Sequence, residues 1–156
     1  MIRKLKGTDS LLMHEWMCDT NVVCFLDTDF SSKTLEDCEC FINNSITDNN
    51  KHFAIVDDND EYMGTVSLKN IDYDKKIAEM AITIRKCAMG KGYSKKALDE
   101  IFEYGRKELG LTRFYWYVNP INTRALSFYD KYGYKRVNNI DIFNKLNDKY
   151  IWYLFD

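Results

Sequence analysis

The chain is 156 residues long, 46% hydrophobic and 29% charged, with a formal net charge of −2 at pH 7. That length suits one domain, residues 1–156, and 11 Tyr, 9 Phe and 3 Trp against 1 Pro exclude a disordered chain. The slight acidity argues against a nucleic-acid partner, and no apolar run approaches the roughly 18 residues of a membrane span.

Met1 to Gly7 carries charge without a following apolar run, so it is not a secretory signal and a cytoplasmic protein is expected. Within it, Ile2 to Lys6 alternates apolar and charged residues, the period of a half-buried strand. Thr8-Asp9-Ser10 offers helix caps ahead of Leu11, Leu12, Glu15 and Trp16 at helical spacing. Asp19 to Asp29 has no clean period and reads as an apolar-acidic loop. Phe30 to Thr34 opens a second helix, with Thr34 and Asp37 spaced as a capping box and Leu35, Cys38, Phe41 and Ile42 as its stripe. His52 to Val56, Tyr62 to Ile71 and Lys76 to Ile84 then read as three strands joined by polar turns, an antiparallel meander. A long amphipathic helix follows a Gly-containing segment and carries Ala97, Leu98, Ile101, Phe102 and Leu109 before a stop at Gly110. Thr112 to Val118 is an aromatic and β-branched strand, broken by Asn119-Pro120. A helix from about Asn122 to Tyr132 and two strands, Tyr134 to Val137 and Tyr150 to Phe155, complete the chain.

The order βααβββαβαββ describes a mixed α+β sheet with a strand–helix–strand unit near its middle. Such a unit brings a helix N-terminus and a strand's carboxyl end to one sheet edge, where ligands bind. The five cysteines (18, 24, 38, 40 and 87) are odd in number and include no CxxC pair, a poor disulfide framework and a poor zinc site. Only His14 and His52 could add imidazole. Reduced thiols and no metal are expected.

Two segments carry chemistry. Met89-Gly90-Lys91-Gly92-Tyr93-Ser94 precedes the long helix, where unused backbone N–H groups and the positive dipole end favour an anion. The glycines allow close approach of a phosphate, and Lys91, Lys95 and Lys96 add charge of the right sign. The spacing is neither a Walker P-loop nor a dinucleotide GxGxxG, so another phosphorylated ligand, or a plain chain turn, remains open. The second segment runs from Asn119 to Tyr134. Asn122 can cap its helix; Ala125, Phe128 and Tyr132 form one face, with Asn122 and Tyr129 on an adjacent edge.

Together these segments resemble the GCN5-related N-acetyltransferase (GNAT) superfamily, and more narrowly its RimJ/RimL-like branch. Residues 89–94 are similar to the R/Q-x-x-G-x-G/A pyrophosphate turn, and residues 119–134 to N-x-x-N-x-x-A-x-x-F-Y-x-x-x-G-F/Y. Glu15-Trp16-Met17 is similar to the branch's N-terminal helix. Met89 replaces the usual Arg or Gln, and Ser94 the usual Gly or Ala. The resemblance implies a three-layer α/β fold, a mostly antiparallel central sheet with helices on both faces. It also implies acetyl-CoA as cosubstrate, with its pantetheine arm in a gap where two parallel strands splay. Ile82 and Ile84 would present backbone groups to that arm, Met89, Gly90, Lys91, Gly92, Tyr93 and Ser94 would hold the pyrophosphate, and Asn119 and Asn122 would lie along the cofactor. Tyr129 would protonate the leaving thiolate, and Glu79 would serve as general base. The implied reaction is direct acetyl transfer to a primary amine: a small molecule, an amino-sugar nucleotide or a protein N-terminus. The alternatives are a non-catalytic acyl-CoA sensor and an interaction domain without CoA. A monomer or homodimer is expected. Asp19, Asp27 and Asp29 could attract a cationic amine.

Overall fold

The period-2 segments form seven strands in the computed structural model, which describes residues 1–156. They are β1 (Ile2–Lys4), β2 (Lys51–Val56), β3 (Tyr62–Asp72), β4 (Ile77–Ile84), β5 (Arg113–Val118), β6 (Lys135–Val137) and β7 (Ile151–Phe155). One sheet results, ordered β1-β2-β3-β4-β5-β7-β6. Its pairings are antiparallel except for β4 with β5, which run parallel.

The helices are α1 (Ser10–Met17), α2 (Thr20–Val23), α3 (Leu35–Asn43), α4 (Tyr93–Leu109) and α5 (Thr123–Lys131). The reading of Asp19 to Asp29 as loop misses α2, a single turn nucleated where the Asp19 side chain accepts from Asn21 N at 2.9 Å. One turn is too short to display a period. The second long helix begins at Leu35, not Phe30, because Thr34 and Asp37 close the capping box (2.8 and 3.2 Å) and fix the N-terminus there.

Strand alternation sends side chains to two separate cores. On one face α4 and α5 lay Leu98, Ile101, Phe102 and Tyr129 against Leu68, Met80, Phe114 and Trp116. On the other, α1 and α3 place Met13, Trp16, Cys38 and Ile42 over Ala54, Val56 and Tyr62. Ile140 and Leu146 cover Ile77 and Tyr115 on that second face. The fold is thus the expected three-layer one.

The parallel pair positions the site. β4 and β5 are in register only at Ile77↔Arg113, Ala78↔Phe114 and Glu79↔Tyr115. Beyond that point β4 stays on β3 as far as Ile84↔Gly64, while β5 follows β7 as far as Val118↔Ile151. The sheet opens into a wedge from Met80 onward.

Candidate active site

Two connected hollows occupy the wedge. The larger, about 390 Å³, runs from Ile82, Thr83 and Ile84 past Ala88–Ser94 to the flank of α5. The smaller, about 260 Å³, lies nearer the wedge's apex and is walled by Glu79, Lys69, Tyr117 and the segment after α2. Ile82, Thr83, Asn122, Ala125 and Tyr129 line both.

At the mouth of the larger hollow, Gly90 (φ 77°) and Gly92 (φ 85°) are left-handed, and a Cβ at either would meet no protein atom within 4 Å. These glycines are demanded by backbone conformation and by open space above them, not by a packed neighbour. Gly92 is the N-cap of α4 and provides no side-chain cap, so the first-turn N–H groups of this 17-residue helix face the hollow unused. The charged side chains lining this hollow are Arg124 and Lys131, both cationic. Of the lysines expected to supply charge, Lys95 is ion-paired with Asp99, and Lys91 and Lys96 lie outside the walls of both hollows. The cations come instead from α5, a point the sequence reading missed. The signal was present: Arg124, Phe128 and Lys131 fall at i, i+4 and i+7, one helical stripe. A cationic mouth, free N–H groups and an apolar throat suit a phosphorylated ligand with a long flexible arm.

On α5, Asn122 Oδ1 caps the helix by accepting from Ala125 N at 3.2 Å, leaving its amide N–H groups to face the hollows. Asn119 Oδ1 accepts from Ile121 N at 3.1 Å and lines the smaller hollow rather than the larger. Tyr129, expected on an edge of the helix, is its buried residue, while Tyr132 of the expected face is 40% exposed. The aromatic strand accounts for this difference. The Tyr129 ring packs on Trp116 (5.1 Å between centroids), Phe128 (5.2 Å), Tyr153 (5.2 Å) and Tyr134 (6.0 Å). Burial pushes its phenol pKa well above the usual value, so the hydroxyl stays a donor.

Glu79 sits at the last paired position of the wedge, buried, with Lys69 Nζ 3.1 Å from Oε1 and Asn70 Nδ2 donating to Oε2 at 2.8 Å. Both oxygens keep a free lone pair, and the carboxylate lines the smaller hollow with Asp27. Its charge also helps raise the phenol pKa of Tyr115 and Tyr117, chiefly lifted by burial. The three acids expected to draw a cation divide. Asp19 serves as the cap of α2, and Asp29 accepts from Ser31 N and Oγ (2.9 and 2.6 Å). Only Asp27 faces the hollow, where the Tyr150 hydroxyl donates to it.

A mixed sheet splayed beside a glycine turn, with the Tyr129 phenol and the Glu79 carboxylate both lining the hollow in the gap, is an architecture suited to an acyltransferase. Residues 1–135 match the family model described as an acetyltransferase (GNAT) domain. The chain belongs to this family and is an N-acetyltransferase. It is 24% identical over 156 residues to an uncharacterized N-acetyltransferase, p20, of Bacillus licheniformis, covering 96% of this chain and 86% of that one. It is 25% identical over 134 residues to spermidine N(1)-acetyltransferase of Vibrio cholerae (85% and 77% covered). A crystal structure of the Vibrio cholerae spermidine N-acetyltransferase with CoA and spermine has the same fold: TM-score 0.80, 20% identity, 99% of this chain and 92% of that one.

Proposed function

We propose that residues 1–156 act as one domain that moves the acetyl group of acetyl-CoA onto a small cationic primary amine. The observation that carries this reading is the wedge itself: Tyr129 lines both hollows, and Glu79 lines the smaller one. The pantetheine arm would lie along the unpaired edge of β4, taking backbone hydrogen bonds from Ile82 and Ile84 as an added strand does. The pyrophosphate would sit on the turn from Met89 to Ser94, and the Asn122 amide would face the arm.

The amine would enter through the smaller hollow. At about 260 Å³ it is smaller than the roughly 300–1,000 Å³ of drug-sized sites, which favours a short amine over an amino-sugar nucleotide. Asp27 and Glu79 match a cation, Tyr117 and Tyr150 (4.9 Å between centroids) an aliphatic chain, and the spermidine specificity named for the Vibrio relative agrees with this. A RimJ/RimL-like affiliation rests on Glu15-Trp16-Met17 alone. There Glu15 pairs with Arg85 at 3.0 Å and Trp16 Nε1 donates to the Tyr62 hydroxyl at 2.9 Å, which are structural duties.

In the reaction Glu79, directly or through water, takes a proton from the ammonium form of the amine. The amine nitrogen attacks the thioester carbonyl; the C–N bond forms as the π pair moves to oxygen, facing unpaired N–H groups of β4. The nitrogen of the adduct releases its second proton to water, and collapse re-forms the carbonyl and breaks the C–S bond; the sulfur takes the Tyr129 proton, and solvent later reprotonates Tyr129 and discharges Glu79. An acceptor screen with acetyl-CoA, read by mass spectrometry of acetylated product, tests the reading without interference from the five free cysteines. Acetylation of short polyamines or diamines is expected, and so is a rise in melting temperature with acetyl-CoA. A protein that neither binds acetyl-CoA by calorimetry nor acetylates any amine in the panel overturns it.

A further inference from the structure

The turn from Met89 to Ser94 contributes no cationic side chain to the wall of the larger hollow. Lys91 projects elsewhere, and the residues that do line the wall there are Met89, Gly90, Gly92, Tyr93 and Ser94. Backbone N–H groups alone would therefore face a dianionic pyrophosphate. Arg124, on the opposite bank, changes this. Its Nη1 lies 2.7 Å from Met89 Sδ, so the guanidinium spans the mouth from α5 and rests on the turn's first residue. No carboxylate is paired with it, whereas Arg85, Arg113 and Arg136 each hold one within 3.0 Å. Arg124 is exposed and lines the hollow, with four further N–H donors beyond the one on sulfur. A thioether is a weak acceptor, so a phosphate oxygen entering the mouth displaces it at little cost.

We propose that Arg124 is a cofactor-binding residue: a guanidinium delivered from α5 that takes the pyrophosphate of acetyl-CoA at the mouth of the hollow. Met89 acts as its resting place and keeps it extended over the turn. The binding step is then a transfer of the fork from sulfur to phosphate, with no reorganisation of the helix. This rests on the assignment of the turn to the pyrophosphate and adds the charged contact that assignment lacks.

The test compares Arg124→Met, Gly92→Val and Met89→Arg/Arg124→Met with the unaltered protein, using acetyl-CoA, 3′-dephospho-acetyl-CoA and acetyl-pantetheine. Arg124→Met is expected to weaken acetyl-CoA about 10- to 100-fold in Kd and KM, the range of a charged hydrogen bond. The same loss is expected with 3′-dephospho-acetyl-CoA. With acetyl-pantetheine, which has no pyrophosphate, the loss should disappear. The double variant, which moves the cation onto the turn, should recover most of the affinity. A loss equal for all three donors overturns the proposal and makes Arg124 a support for α5. A loss confined to acetyl-CoA, and absent from both the dephospho donor and acetyl-pantetheine, moves Arg124 to the 3′-phosphate and overturns it too. Gly92→Val separates this from the underlying reading. If that variant loses acetyl-CoA while Arg124→Met keeps it, the turn holds the cofactor without Arg124. If the unaltered protein does not bind acetyl-CoA, the turn assignment itself fails.

Discussion

Tyr129→Phe deletes one oxygen from a side chain whose ring keeps Trp116, Phe128, Tyr134 and Tyr153 as neighbours at 5.1–6.0 Å. No protein hydrogen bond contributes to the phenol's pKa shift, so the deletion strands no partner and should cost less than about 1 kcal/mol of stability. Turnover is a different matter. An alkylthiol of pKa about 8.5 leaves poorly as a bare thiolate from a water-poor gap, and burial that raises the Tyr129 phenol raises the thiolate's proton affinity as well. The two remain matched, and a positioned donor of this kind contributes about 10²- to 10⁴-fold, or roughly 3–5 kcal/mol of barrier. The expected result is that loss in kcat with little change in acetyl-CoA affinity, because the proton serves the departing sulfur and not the resting thioester. Single-turnover product formation, followed by mass spectrometry, measures the chemical step. The deficit should shrink with an acyl donor whose thiol is more acidic. It should also stay constant from pH 7 to about 9.5, since the raised phenol pKa keeps the donor protonated throughout. Near wild-type turnover in the variant, where chemistry limits the rate, would falsify the assignment and leave Tyr129 as a packing residue.

Glu79→Gln keeps the Asn70 contact through its amide oxygen, and should lower kcat/KM at pH 7 by about 10²-fold or more. The deficit should narrow as pH rises and for acceptors of lower pKa, because neutralising an amine of pKa about 10.4 at pH 7 takes roughly 4.6 kcal/mol and one of pKa about 8 only 1.4; parallel pH profiles for variant and wild type would exclude the base role. His52, held between the Phe41 ring (4.6 Å) and Ser67 Oγ (2.7 Å), has its pKa lowered to about 4 by burial and by Lys69. An unfolded histidine takes its proton near 6.5, so the unfolded state binds more protons than the native state as pH falls toward 4, and stability drops across that window. Urea unfolding at stepped pH should show that slope and its loss in His52→Asn; an unchanged slope in the variant would assign it to other groups.

The elements of the fold were legible because each carries a local physical cause. The Thr34–Asp37 box, the Gly110 stop and the Asn122 cap are written in single side chains, and the structure uses all three as such. The glycine turn was legible for the same reason, since left-handed backbone leaves few alternatives to Gly. What the sequence did not reveal depends on which side chains meet across the wedge. Asp19, Asp27 and Asp29 look alike in a loop without period, yet two are consumed by neighbours two residues away and one faces the hollow. Lys95 meets Asp99 one turn on in its own helix, an i,i+4 pair written in the sequence, whereas only tertiary placement brings Arg124 to the wall of the larger hollow. Tyr129 was placed on an edge of its helix and is buried instead, because Trp116, Tyr134 and Tyr153, three aromatic partners outside α5, outweigh the helix's own stripe.

The wedge explains why both halves of the chemistry depend on one register. Glu79 and Tyr115 are the last paired residues of β4 and β5, and every residue beyond them on β4 keeps one hydrogen-bonding edge without a strand. Backbone groups left open inside a sheet are costly unless something pairs with them, and an amide-bearing pantetheine arm is suited to that edge. The gap that would admit the arm is also a passage between the faces of the sheet. Glu79 belongs to the face shared with Tyr115 and Tyr117, whereas Tyr129 packs on the face of Trp116, and both line the smaller hollow inside the gap. Under the proposed mechanism an amine would approach from the carboxylate side and a thioester would lie against the phenol, so base and acid would reach the reacting centre from different faces of the sheet. A continued β4–β5 ladder would close that passage and leave each residue intact but isolated on its own side.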